Sequence, residues 1–75
     1  MDWMNAGKTI YERNEPVRRD SWPEGQNIKV MKVFQLESQA MHEGLYMSSG
    51  GGTVPIYIHY TLTDEDYEAT DWAAA

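Results

Sequence analysis

Seventy-five residues make one domain, and a chain this short buries only about 60% of its unfolded surface, so its core is small. There is no cysteine, which excludes disulfides, and His42 and His59 lie too far apart in sequence to read as a ligand-spaced metal cluster. Twelve acids against six bases give a net charge of −6; all six bases lie in the first 32 positions, while residues 35–75 hold seven acids and no base, a pattern that argues against a general nucleic-acid binder.

In chain order, residues 2–6 predict one short helical turn, with Asp2 favouring its N-terminus and Gly7 stopping it. Lys8 to Tyr11 then read as a short extended piece, and Asn14-Glu15-Pro16 as a turn. Val17-Arg18-Arg19 is expected as a short strand leading to Trp22, with a second turn at Pro23-Glu24-Gly25. Asn27 to Phe34 alternates clearly at first: Ile28 and Val30 share one face, and Lys29 and Met31 the other. The alternation slips at Lys32 and Val33, which predicts either a bulge near Met31 and Lys32 or a strand covered on both faces.

Residues 35–44 read either as a helix, with Leu36, Ala40 and Met41 in helical spacing and Gly44 as its C-cap, or as an ordered loop. Leu45-Tyr46-Met47 predicts a strand, and the Ser48–Gly52 run a flexible connection back to a hairpin partner. Thr53 to Tyr60 is the strongest strand. Val54, Ile56, Ile58 and Tyr60 fall on one face, Pro55, Tyr57 and His59 on the other, and Pro55 belongs at an edge or a strand start. Thr63 with Asp66 resembles a capping box opening a helical turn over 64–69. Asp71-Trp72 is expected to close the domain as a last short strand. The expected fold is α+β: a small antiparallel sheet of four to six short strands with one or two short helical turns, over residues 1–72. Ala73-Ala74-Ala75 reads as an appended tail outside that fold.

No stretch approaches the ~20 apolar residues of a membrane span, and the N-terminus has no apolar secretory core, so a cytoplasmic protein is expected, with no membrane partner. Without disulfides or metal, self-association is the remaining way to stabilise so small a core, and nine aromatic residues offer material for an interface.

Catalytic signatures are absent from the motifs. No serine lies in a Gly-x-Ser-x-Gly elbow, and Asp64, Glu65, Asp66 and Glu68 crowd one acidic turn that reads more simply as capping. Gly50-Gly51-Gly52 is followed by a strand and not by the helix that a phosphate loop requires. The most suggestive constellation is Val17-Arg18-Arg19-Asp20-Ser21-Trp22. Its guanidiniums suit phosphate, and its indole suits stacking on a base or ribose. The plain alternative puts Trp22 in the core and pairs the arginines with Glu15, Asp20 or the acidic tail. Tyr57 and His59 offer a second stacking surface.

Three blocks in order carry a family resemblance. Gly7-Lys8 with Val17-Arg18-Arg19-Asp20-Ser21-Trp22, then Leu45-Tyr46-Met47 with Thr53-Val54-Pro55, then Thr63-x-x-Asp66-Tyr67-x-Ala69-x-Asp71-Trp72 resemble the phage Thoeris anti-defence sponge family of the second type. The likeness spans Gly7 to Trp72. Gly-Gly-Gly replaces that family's Asp-Gly turn, Ile56 its aromatic after proline, and Thr63 its serine. The resemblance implies a homotetramer that is no enzyme and uses no cofactor. It implies a sponge that sequesters cyclic ADP-ribose-type or cyclic oligonucleotide signals in the host cell, so that the defence effector stays silent.

On this reading Arg18 and Arg19 meet phosphates, Trp22 and Tyr57 stack on base or ribose, and Thr63 with Asp66 accepts hydrogen bonds from hydroxyls, in a pocket at subunit boundaries. The alternative reading is an acidic interaction module, its C-terminal half docking on a basic or nucleic-acid-binding host protein. A third is a small structural protein without a ligand.

Overall fold

The computed structural model describes residues 1–49 and 56–75. Its elements are helix α1 (Trp3–Arg13), strands β1 (Val17–Arg19), β2 (Gln26–Gln35), β3 (Ala40–Ser49) and β4 (Tyr57–His59), helix α2 (Asp64–Glu68) and strand β5 (Trp72–Ala74). The five strands form one antiparallel sheet in the order β4-β3-β2-β1-β5. This is the α+β architecture that the sequence predicts. Of the predicted Ser48–Gly52 connection, Ser48 and Ser49 are instead the end of β3, paired with Asn27 and Gln26; residues 50–52, and the predicted strand residues 53–55, lie outside the described residues. Among the described residues, no helix is long and apolar enough to cross a membrane.

Helix α1 corrects the expectation of a turn that stops at Gly7. Asp2 caps it, accepting from the Asn5 amide at 3.0 Å, and the helix runs on past the glycine to Arg13. Ala6, Thr9 and Ile10, spaced three and four apart, form its buried stripe. A glycine inside a helix costs about 1 kcal/mol against alanine, and burying Ile10 alone offsets that. The stop comes at Asn14, in the left-handed conformation at φ 55°. A Cβ added at Gly7 would meet only the Trp3 ring, at 3.8 Å, an ordinary contact. Gly7→Ala should therefore raise stability by about 0.5–1 kcal/mol, read as a higher urea midpoint with unchanged slope. A lower midpoint would show that the helix interior is wrongly assigned.

Strands β2 and β3 pair without interruption from Gln26↔Ser49 to Gln35↔Ala40. There is no bulge at Met31 and Lys32, and neither face of the strand end is covered. The alternation slips because the far end of this hairpin extends past α1: Phe34, Leu36 and Met41 are all more than half exposed, so burial imposes no pattern there. Residues 35–44 are neither helix nor loop. They are a chain reversal over residues 36–39, with Gln39 at φ 52°, followed by β3. Gly44 lies within that strand opposite Met31 and caps nothing.

One face of the sheet carries α1 and α2. The core there is Ala6, Ile10, Val17, Ile28, Leu45 and Trp72, flanked by Trp3, Trp22, Val30, Met47, Tyr60, Leu62 and Ala69. Ala73 and Ala74 are not outside this fold. They pair with Arg18 and Val17 in β5, and the Ala75 amide donates to Pro16 O at 3.0 Å. Their methyls give no hydrophobic pattern to read; backbone pairing alone makes them a strand. Helix α2 has the predicted capping box at Thr63 and Asp66, and it ends at Glu68.

Candidate functional site

The residues singled out by sequence divide between two faces. Arg18 and Arg19 are neighbours in a strand, so their side chains point to opposite sides of the sheet. They do not converge on one anion.

Arg19 turns to the helix-bearing face, where β1 lies beside β5 and α2. Its Nε donates to Asp71 Oδ1 at 2.9 Å and its Nη1 to Asp66 Oδ1 at 3.2 Å. Asp66 is 2% exposed, and its second oxygen accepts from the Thr63 amide at 3.0 Å and from the Tyr60 hydroxyl. The Asp66 amide donates back to Thr63 Oγ1 at 3.2 Å, and the Trp72 indole N–H donates to the Asp66 carbonyl at 2.9 Å. Trp22 packs edge-on against Trp72 and Tyr60, with ring centres 5.3 and 5.6 Å away.

The charges fit this geometry. Burial would raise the Asp66 carboxyl, but hydrogen bonds from Thr63, Tyr60 and Arg19 more than offset it and hold it below the usual carboxylate range. The Arg19 bond likewise holds Asp71 down, and the Asp71 bond raises Arg19. Burial, then the Asp66 carboxylate, push the Tyr60 phenol well above its ordinary value. Arg19, Trp22, Thr63 and Asp66 are thus brought together, in a network whose bonds close on one another and clamp α2 to the β1–β5 edge. The plain alternative therefore holds for Arg19, whose partners lie in the acidic tail, and for Trp22, which packs against the core; sequence reading did not name Tyr60 as a partner of Asp66.

Arg18 and Tyr57 share the other face, which no helix covers. The register that pairs Val17 with Ile28 sets Arg18 opposite Asn27; Asn27 pairs with Ser48, and Ser48 with Tyr57. These four residues form one row across four strands, about 14 Å from end to end at ~4.8 Å per strand. The next row is Lys29–Tyr46–His59. Lys29 Nζ lies 4.9 Å from the centre of the Tyr57 ring, a cation–π contact, and Tyr46 meets His59 edge-on at 5.5 Å. Gly44 lies beneath His59, whose ring atoms stand 3.6 Å from where a Cβ would be.

Two features give this face its chemistry. Glu43 is the one carboxylate in the five strands, and its pairing with Lys32 sets it on the helix-bearing side, so the strands present no acid on the open face. Arg18 makes no ion pair among the described residues. One Nη donates to the carbonyls of Trp22 (2.6 Å) and Pro23 (3.3 Å), and its buried Nε has no partner there. Two grooves lie away from this face: about 320 Å³ along α1, between Met1 and Arg13, and about 440 Å³ at the hairpin tip, between Phe34 and Glu37. Among the described residues, no group of three or more acidic or histidine side chains is arranged to hold a metal ion. Comparisons with family models, curated proteins and solved structures gave no match.

Proposed function

We propose that this protein is a non-enzymatic sponge that holds a nucleotide-type anion on the open face of its sheet and so withdraws a cyclic ADP-ribose-type or cyclic oligonucleotide signal from host anti-phage defence. The observation that supports this reading most is the segregation of charge. In a chain of net charge −6, one broad face is free of strand carboxylates and carries Arg18, Lys29, Tyr46, Tyr57 and His59. Phosphate would meet the Arg18 guanidinium and the Lys29 ammonium, and a base would stack on Tyr46 or Tyr57. Retention without turnover fits the sequence, which offers no positioned nucleophile.

The test is direct. The protein is mixed with cyclic ADP-ribose or a cyclic dinucleotide, binding is measured by calorimetry, and the ligand is recovered after denaturation. Recovery of intact ligand is expected; hydrolysed product, or no binding to either class, would reject the reading. Arg18→Ala and Lys29→Ala should each weaken binding about tenfold, the worth of one charge-assisted hydrogen bond, in proteins whose circular dichroism shows the native fold. Equal weakening by Arg19→Lys would instead place the ligand at the clamp.

A further inference from the structure

The two edges of the sheet are finished differently. At the β5 edge, Trp72 is already engaged: its amide donates to Met1 O at 3.0 Å, and the Met1 ammonium donates to Trp72 O at 2.7 Å. At the β4 edge there is no such cover among the described residues. Tyr60 donates its amide to Leu45 O at 2.9 Å, which fixes the alternation along this strand. Ile58, like Tyr60, turns its backbone groups toward β3. Tyr57 and His59 turn theirs outward, where no described residue bonds to them.

Of the usual protections of an edge strand, the described residues of β4 show shortness alone. Natural edge strands are blunted with charged side chains, above all lysine, yet Tyr57-Ile58-His59 holds no lysine, arginine or carboxylate. Ile58 on it, and Ile56 just before it, are each 63% exposed. A chain of net charge −6 repels its own copies, and this strand adds no carboxylate to that repulsion.

We propose that β4 is the seam at which a second copy of this chain adds, antiparallel, to make one continuous ten-stranded sheet. The strand fits itself. A twofold axis at Ile58 sets Tyr57 opposite His59 of the partner subunit, and the reverse, so the outward N–H and C=O groups of both residues are satisfied in two reciprocal pairs. Ile58 meets its own counterpart on the helix-bearing side. On the open side, the Tyr57 and His59 rings of both copies come to lie side by side, and each open face then runs on into the other. A foreign extended peptide could meet the same backbone groups but would lack this self-matching register.

The seam is short, so the dimer should be concentration-dependent. Native mass spectrometry and light scattering from micromolar to millimolar protein should show monomer giving way to dimer. Ile58→Lys should remain folded by circular dichroism and stay monomeric throughout, while Phe34→Lys at the exposed hairpin tip should dimerise like the parent chain. A parent chain that is monomeric at every concentration, or a folded Ile58→Lys protein that still dimerises, would overturn the proposal. Should Ile58→Lys fail to fold, amide exchange by NMR on the parent chain decides. The Tyr57 and His59 amides should slow as concentration rises while Ile58 and Tyr60 stay constant; no change at Tyr57 and His59 would overturn it. A monomer that still binds nucleotide would sink the seam alone, and a dimer that binds none would sink the sponge reading alone.

Discussion

Asp66→Ala should cost about 3–5 kcal/mol, the usual consequence of removing one partner from a buried, hydrogen-bonded ion pair. For a domain of this size that approaches the whole folding free energy, so the variant should be largely unfolded at physiological temperature. The loss is large because Asp66 accepts from three separate elements at once: Arg19 on β1, the Tyr60 hydroxyl after β4, and the Thr63 amide at the head of α2. Without it the Arg19 guanidinium keeps only Asp71, and the Tyr60 hydroxyl loses its acceptor.

The same cluster fixes the pH dependence. Asp66 and Asp71 both titrate below their ordinary range in the folded chain. Their contribution is therefore present above the unfolded value of about 4 and is lost as pH falls through the folded values. Tyr60 is raised, so its contribution is present below about 10 and is lost as pH climbs through the folded value. Urea midpoints across pH should give a plateau with two falling limbs. The Asp66 variant, measured in the cold, should show a shallower acid limb; an unchanged one would mean that the clamp does not form.

Trp72→Ala should be about as severe, at about 3–5 kcal/mol, as for other large aromatic residues removed from a core. Trp72 is 2% exposed and lies against Trp3 and Trp22, with ring centres 5.2 and 5.3 Å away. Trp72→Phe should recover much of the packing while leaving the Asp66 carbonyl without its indole donor, and so fall between the two. Chemical denaturation of the three proteins orders them. If Trp72→Phe matched the alanine variant, the hydrogen bond and not the packing would dominate. Because the Asp66 carboxylate helps hold in place the main-chain carbonyl to which the Trp72 indole donates, the losses in a double variant should not add.

How much of this was legible in the sequence depends on the range of the forces involved. The capping box at Thr63 and Asp66 is made between residues three apart, and it could be read directly. The strand alternation of Ile28 and Val30 could also be read, because both press on the core. Beyond the core the same strand lost its pattern, and the reversal at residues 36–39 was missed because its left-handed residue is Gln39 and not glycine or asparagine. Helix α1 was cut short because the cost of Gly7 is local and the burial that offsets it is not. The partners of Arg19 were legible only as a class, the acidic tail, and not as particular carboxylates. Alternation alone separates Arg18 from Arg19, but the partners of Arg19 lie 47 and 52 residues away in the chain. Likewise, the row that joins Arg18 to Tyr57 exists only once four strands are in register.

The three indoles come from positions 3, 22 and 72, and Trp72 contacts both of the others. The β2–β3 hairpin contains none of them. A refolding chain can therefore zip that hairpin while its tryptophans remain strangers, and their mutual contact marks the moment when the two ends of the polypeptide meet. Near-ultraviolet dichroism of the indoles thus works as a clock for ring closure, running separately from the backbone signal of the sheet.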